Sequence, residues 1–260
     1  MNIQTSNATA LRQTPATAWL AKTKISNDAN LRLFCFPYAG GGASIYRSWA
    51  SRLSMVELLP VQLPGRETRL KEAPYTNARS LVRAMGQALL PYFDRPFCFF
   101  GHSMGALLAY EIARRAGREG WTEPLHLFAS GRRPPHVPGK PPLLHDLGRE
   151  ELLARLRGLG GLPPEVAEHE ELMDLMLPLL RADLRSDETY APATHPPLSC
   201  PITALAGTSD ENADREAAAR WGELTTGPSR VVEIEGGHFF VQQAAGAVAE
   251  TVARTLLTAR

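Results

Sequence analysis

The chain has 260 residues, of which 44% are hydrophobic and 21% are charged, and its formal net charge is +1. This length accommodates one α/β domain with a large core, or such a domain with a small insertion. A net charge so close to zero gives no reason to expect nucleic acid or an anionic membrane surface as the main partner. No apolar stretch reaches the length of a membrane span, so we expect no membrane protein either.

The first residues of the chain are polar and lack the continuous apolar segment of a secretory signal. We therefore predict that residues 1–30 form a loose N-terminal leader and that residues 31–260 form the domain. Within the leader, Trp19 and Leu20 are the residues suited to pack onto that domain.

The three cysteines, Cys35, Cys98 and Cys200, lie in or directly before apolar runs. An odd number of apolar-flanked cysteines is typical of buried free thiols in a reducing compartment. We therefore expect a cytoplasmic protein.

Six short apolar runs predict buried strands. These runs are Leu31–Phe36, Leu58–Leu63, Phe97–Phe100, Leu125–Ala129, Ile202–Ala206 and Val231–Ile234. Both faces of each run are apolar, which is typical of a parallel sheet covered by helices. Helical patterns lie between or after the runs, at Thr76–Tyr92, Ala106–Arg118, Asp214–Glu223 and Val241–Thr258. Strands that alternate with helices indicate an α/β fold with a mostly parallel sheet flanked by helices.

One long segment, at about residues 134–197, contains no convincing strand and has proline-rich ends. Its helical patterns are Arg149–Leu156, Pro164–Met173 and Leu175–Asp187. We interpret this lid segment as a helical insertion over the carboxyl ends of the strands, where open α/β sheets bind ligands. The alternative is a helical decoration with no gating role.

The segment Gly-His-Ser-Met-Gly at 101–105 follows a predicted strand and precedes a predicted helix. This is the setting of a nucleophile elbow, G-x-S-x-G, in which a tight turn between strand and helix exposes the serine hydroxyl. Ser103 is therefore the candidate nucleophile, and His102 is placed to shape the turn.

A serine hydroxyl needs a general base, usually a histidine that is held by a carboxylate, and this fold orders them serine, acid, histidine. His238 follows the last predicted strand and two glycines, where the fold needs its base. Asp210 follows the preceding strand by a short loop and is the favoured acid. Glu211 and Asp214 are nearby competitors, and an aspartate in such a loop is also a common helix N-cap.

Acyl transfer also needs hydrogen-bond donors for the developing oxyanion. One donor is expected from the backbone N–H of Met104, the residue after the nucleophile. The other is expected from Ala39, in the glycine-rich loop after the first predicted strand. A glycine-rich loop can instead cradle phosphate, but this one lacks both G-x-G-x-x-G spacing and a P-loop lysine.

Several segments together resemble the type II thioesterases of polyketide and nonribosomal peptide biosynthesis. They are residues 37–41 (Pro-Tyr-Ala-Gly-Gly), 63–67 (Leu-Pro-Gly-Arg-Glu), 101–105, 180–183 (Leu-Arg-Ala-Asp) and 237–239 (Gly-His-Phe). The resemblance extends from about residue 31 to the end of the chain.

This resemblance implies an α/β-hydrolase fold with a helical lid. It also implies the hydrolysis of acyl groups from the phosphopantetheine arm of acyl or peptidyl carrier domains, without a cofactor or metal. By position, Ser103 matches the nucleophile, Asp210 the acid and His238 the base. The backbone donors of the oxyanion hole correspond to Ala39 and Met104.

Carrier domains are generally acidic, and four arginines follow predicted strands on the side of the site. We predict that Arg66, Arg69, Arg132 and Arg133 form a docking patch for the carrier.

Three alternatives remain open at the level of sequence. G-x-S-x-G also occurs in carboxylesterases and lipases that act on free esters, although the other matched segments argue against them. An acyltransferase uses an alcohol or amine in place of water. A protein of another class, one that binds a carrier without catalysis, should not react with a fluorophosphonate serine probe.

Overall fold

A computed structural model describes residues 16–21, 30–139, 141–161 and 169–258 of the chain, and its six strands in these residues form one parallel sheet. The strands are β1 (Arg32–Phe36), β2 (Glu57–Pro60), β3 (Phe97–His102), β4 (Leu127–Ser130), β5 (Ile202–Gly207) and β6 (Ser229–Ile234). Their order is β2-β1-β3-β4-β5-β6. All six predicted strands are confirmed, with ends that shift by a few residues.

Helices cover both faces of this sheet, because alternate residues of its central strands are apolar on both sides. Phe34 and Phe99 face the layer that contains α1 (Ala78–Leu89) and α2 (Met104–Glu119). Cys35 and Phe100 face the opposite layer, which contains α7 (Ala245–Thr258). The three cysteines are buried free thiols, as predicted. Two shorter helices, α5 (Arg215–Ala219) and α6 (Phe240–Gln243), precede α7.

The lid segment contains two described helices, α3 (Arg149–Gly158) and α4 (Glu170–Glu188). Their apolar faces pack on each other through a separate small core, which includes Leu152, Met173 and Leu177. The two predicted helices Pro164–Met173 and Leu175–Asp187 are partly wrong, because a single helix runs from 170 to 188. Residues 162–168 lie outside the described part. That this segment gates the site stays a prediction.

The leader is not loose over residues 16–21. Leu20 forms an antiparallel bridge with Val61, and Trp19 is only 3% exposed. The Trp19 carbonyl accepts a hydrogen bond from the amide of Gln62 at 2.8 Å, and the Arg69 guanidinium lies 4.2 Å above the Trp19 ring. These contacts attach the leader to the chain at the carboxyl end of β2. They confirm that Trp19 and Leu20 pack onto the domain, and they correct the prediction that this part of the leader is loose. Residues 1–15 and 22–29 lie outside the described part.

The carboxyl ends of all the strands meet at one edge, because the strands are parallel. The loops that leave β1, β3, β5 and β6 there carry the predicted catalytic residues and oxyanion donors. Among the described helices, none is both long and apolar enough to cross a bilayer.

Candidate active site

The turn that carries Ser103 is tight and strained. Ser103 has a φ of 52°, a left-handed conformation that residues with a side chain rarely adopt and that costs of order 1–3 kcal/mol. A Cβ on Gly101 would lie 2.1 Å from the carbonyl oxygen of Gly105. A Cβ on Gly105 would lie 2.1 Å from the carbonyl oxygen of Phe36. Both flanking positions therefore require glycine, and the serine hydroxyl is held at the edge of the sheet.

Ser103, His238 and Asp210 form a continuous chain of hydrogen bonds. His238 Nε2 lies 3.1 Å from Ser103 Oγ, and His238 Nδ1 lies 2.8 Å from Asp210 Oδ2. A carboxylate only accepts, so the Nδ1 of His238 carries the proton and the Nε2 of the neutral ring accepts from the serine hydroxyl. This is the geometry in which a histidine removes a proton from a serine.

Asp210 is kept ionised by its neighbours. Burial acts to raise the pKa of this carboxyl, but its hydrogen bonds, above all the one from His238, outweigh burial and the pKa is lowered. The backbone amide of Asn212 also donates to Asp210 Oδ1 at 3.0 Å. The competitor Asp214 instead caps α5 by accepting from the amide of Ala217 at 2.8 Å. The structure therefore brings Asp210, and not Asp214, to the histidine.

His102 supports the loop that carries His238. The Nε2–H of His102 donates to the backbone carbonyl of His238 at 2.9 Å, and its Nδ1 accepts from the Ser130 hydroxyl at 2.9 Å. Burial lowers the pKa of His102 to about 3. A Cβ on Gly131 would lie 2.4 Å from the His102 ring, so glycine leaves the space that this ring fills. The sequence placed His102 in the turn but did not predict its link to His238.

The predicted oxyanion donors lie on two elements beside the serine. Met104 is the first residue of α2, so its N–H has no carbonyl within the helix to bond. Ala39 belongs to residues 38–42 (the glycine loop), which follow β1. In this loop the amide of Gly41 donates to the carbonyl of Tyr38 at 2.9 Å, and Gly40 has a φ of 79°. The role of Ala39 and Met104 stays a prediction.

Three of the four predicted docking arginines are buried, with exposed fractions of 5% for Arg66, 4% for Arg69 and 9% for Arg132. Arg69 pairs with Glu72, with Nη2 and Oε2 at 2.6 Å, and Arg132 pairs with Asp187. A buried, paired guanidinium offers no charge to an acidic partner. This finding corrects the predicted docking patch at these three arginines.

Of the other two members, Arg66 is corrected in the same way, whereas the docking role of Arg133 stays a prediction. Arg66 is paired through two nitrogens with Asp183 of α4, at 2.6 and 2.9 Å. Arg133 is half-buried and donates to the carbonyl of Val137 at 3.1 Å, and burial lowers its pKa. Sequence reasoning missed Asp183, although it lies in one of the segments that carried the resemblance.

The family model described as "Thioesterase domain" matches residues 31–256. The chain belongs to this thioesterase family. Two solved structures are similar over most of this thioesterase. One is the type II thioesterase BorB from the borrelidin biosynthetic cluster, with 35% identity, 93% of this chain and 98% of that chain covered, and a TM-score of 0.84. The other is YbtT, a type II thioesterase from the yersiniabactin NRPS/PKS pathway, with 32% identity, 90% and 96% covered, and a TM-score of 0.79.

A curated relative from Brevibacillus parabrevis, named linear gramicidin dehydrogenase LgrE, is 40% identical over 227 residues, which are 86% of each protein. The word dehydrogenase in that name disagrees with the family model. In this thioesterase the glycine loop lacks the G-x-G-x-x-G spacing of a dinucleotide site, and a serine–histidine–aspartate arrangement stands beside it. The physical arrangement agrees with the family: this chain is a serine hydrolase that acts on thioesters.

Proposed function

We propose that this thioesterase removes acyl groups from the phosphopantetheine arm of acyl or peptidyl carrier domains in polyketide or nonribosomal peptide synthesis. In this role it edits the assembly line by clearing aberrant units. The observation that carries the proposal is the hydrogen-bonded chain from Ser103 through His238 to Asp210, in a member of the thioesterase family. The similarity to BorB and YbtT supports the choice of carrier-bound thioesters.

The first half-reaction forms an acyl-enzyme. Ser103 Oγ attacks the thioester carbonyl while His238 Nε2 takes the hydroxyl proton, and Asp210 stabilises the imidazolium that forms. The negative charge that develops on the carbonyl oxygen is stabilised by hydrogen bonds that the backbone N–H groups of Ala39 and Met104 donate. The tetrahedral intermediate then collapses, the carbon–sulfur bond breaks, and the imidazolium protonates the departing phosphopantetheine thiolate.

The second half-reaction releases the acyl group as a free acid. His238 removes a proton from water, and the resulting hydroxide attacks the ester carbon of the acyl-enzyme. The second tetrahedral intermediate collapses, the proton returns to Ser103 Oγ, and the serine is restored. All the groups are side chains, backbone amides and water, so the proposed reaction needs neither a cofactor nor a metal.

Intact-mass spectrometry of a panel of acyl-loaded carrier proteins tests this function. We expect each accepted carrier to lose the mass of its acyl group while free acid accumulates, and we expect a metal chelator to leave the rate unchanged. A Ser103→Ala variant is the control, and it should lose both the turnover and the labelling by a fluorophosphonate.

The same experiment separates the alternatives. Faster turnover of simple esters than of any carrier thioester would point to a carboxylesterase, and transfer of the acyl group to an added alcohol or amine would point to an acyltransferase. Carrier binding without acyl loss or probe labelling would point to a non-catalytic binding protein. Any of these results contradicts the proposal.

A further inference from the structure

Two segments that carried the resemblance have no role in the proposed reaction, and they meet in the structure. Arg66 lies in the segment 63–67, and Asp183 lies in the segment 180–183 of the lid helix α4. Their side chains are only 5% and 2% exposed. Arg66 Nη1 and Nη2 donate to the two oxygens of Asp183 at 2.6 and 2.9 Å, a bidentate geometry that fixes both groups.

This ion pair also holds the glycine loop. Asp183 Oδ2 accepts a hydrogen bond from the backbone N–H of Gly40 at 2.8 Å. Arg66 Nη1 donates to the backbone carbonyl of Gly41 at 3.1 Å. The carboxylate and the guanidinium therefore bind two successive residues directly after Ala39, the predicted oxyanion donor.

The turn formed by the glycine loop depends on the orientation of one peptide group. Its Gly41-to-Tyr38 hydrogen bond and the φ of 79° at Gly40 are the features of a type II turn, with Ala39 and Gly40 as its central residues. Type I and type II turns differ mainly by a flip of the central peptide. Here that peptide carries the Gly40 N–H, which is the group that Asp183 binds, and it directly follows the peptide that carries the Ala39 N–H.

The lid helix packs against the same loop without spare room. A Cβ on Gly40 would lie 3.2 Å from Leu180 Cδ1, and a Cβ on Gly65 would lie 3.0 Å from Leu179 Cδ1. Leu179, Leu180 and Asp183 lie within about one turn of α4. One face of the lid helix thus contacts both the glycine loop and the segment that carries Arg66.

We propose that Asp183 and Arg66 are positioning residues that anchor the glycine loop directly after Ala39, so that the Ala39 amide is held at the oxyanion site only while α4 is docked. The proposal rests on the proposed function and deepens it. The lid helix then completes the catalytic site rather than only covering it. Neither residue touches the acyl group or the reacting atoms.

A second buried ion pair supplies a matched control. Arg32 and Glu57 are 4% and 2% exposed in their side chains and pair at 2.8 Å, at the amino-terminal ends of β1 and β2. This pair lies at the end of the sheet opposite the glycine loop. Replacing a buried ion pair by apolar residues of similar volume is often neutral for stability, which isolates the effect on the loop.

The test compares two double variants, Arg66→Met with Asp183→Leu and Arg32→Met with Glu57→Leu. We expect the first to lower kcat for a soluble acyl thioester by about 10- to 100-fold with little change in KM, because the oxyanion donor is misplaced. The control pair should leave kcat unchanged. Equal kcat values for the folded Arg66/Asp183 variant and the wild type overturn the proposal.

The Ki of an alkyl trifluoromethyl ketone reports directly on the oxyanion site. It should not change if Asp183 and Arg66 have only a structural role. Ser103 adds to the ketone carbonyl, and the hemiketal oxygen occupies the oxyanion site. The Ki should rise by about the same factor as kcat/KM falls, and an unchanged Ki contradicts the proposal.

A conservative variant keeps the test decisive if the double variant does not fold. Asp183→Asn retains an oxygen that can accept from Gly40 but loses the charge that binds Arg66, so we expect a smaller loss of kcat, of about 3- to 10-fold. A folded Asp183→Asn enzyme with unchanged kcat and Ki overturns the proposal. A wild-type protein that hydrolyses no thioester instead contradicts the proposed function, which separates the two failures.

Discussion

His102 and His238 lie side by side, with ring centroids 5.5 Å apart, and their surroundings are very different. His102 is completely buried, and both its ring nitrogens bind neutral groups, the Ser130 hydroxyl and the His238 carbonyl. The His238 side chain is 12% exposed and binds the ionised Asp210 on one side and the Ser103 hydroxyl on the other.

The comparison shows how partners divide the roles of two identical side chains. Burial lowers the pKa of His102 to about 3, so this ring takes up no proton at neutral pH and only supports the loop. In the proposed reaction, the carboxylate beside His238 stabilises the imidazolium that a general base must form. We therefore expect the loss of His238 to remove the general base, and the loss of His102 to shift the loop that carries this base.

Of these substitutions, His238→Ala should lower kcat the most. Without a base the serine keeps its proton, and we expect kcat to fall by about 10⁴-fold or more, down to the residual rate that oxyanion binding alone supports. Steady-state kinetics on an acyl thioester measures this, with circular dichroism to show that the fold is kept. Retained turnover in the folded variant means that another group acts as the base.

Asp210→Asn should cause the second-largest loss of kcat. An asparagine in this place can offer its N–H₂ to His238 Nδ1 and so favour the wrong tautomer, a change that lowers kcat by about 10⁴-fold in enzymes with this arrangement. Asp214→Asn is the matched control, because Asp214 only caps α5. It should change stability by about 1 kcal/mol or less and leave kcat unaltered. Equal losses in the two variants contradict the assignment of the acid.

The sequence allowed the fold and the three triad candidates to be predicted because the signals are local. Apolar runs mark the strands, and Ser103, Asp210 and His238 each follow a strand in a turn rich in glycine or polar residues. Parallel strands bring such turns to one edge, so the spatial grouping follows from the fold class.

The features that were not predicted correctly depend on contacts between residues that are distant along the chain. Arg66 was predicted to face an acidic partner, but its partner is Asp183, 117 residues away along the chain. A charged residue in a loop shows no local sign of whether it is exposed or paired in the interior. For the same reason the pairing of Leu20 with Val61, which ties the leader to the sheet edge, had no signal beyond two apolar residues.

His102→Gln tests the supporting histidine and should have a smaller kinetic effect. Glutamine can reproduce one of the two hydrogen bonds of His102 but cannot fill the space of the ring. We expect kcat to fall by about 10-fold through a shift of the His238 loop, with little change in the pH dependence of kcat. A fall as large as that of His238→Ala would mean that His102 takes part in proton transfer.

The same variant, His102→Gln, also tests the pKa of His102 through the pH dependence of the free energy of unfolding. This is the smallest of the expected effects. Burial and the charge of His238 lower this pKa to about 3, and Asp210 acts in the opposite direction, whereas the pKa of an unfolded histidine is about 6.5. Because only the unfolded state takes up the proton as pH falls below about 6.5, acid destabilises the wild type.

Relative to His102→Gln, the wild type should therefore lose about 1.4 kcal/mol of its free energy of unfolding for each pH unit below about 6. His126, whose pKa burial lowers to about 4, is present in both proteins, and its contribution cancels in the difference. Urea unfolding at pH 7, 5.5 and 4.5 measures that difference. Parallel stability curves for the two proteins would mean that His102 is protonated within the folded state, and the contrast between the two histidines would then be lost.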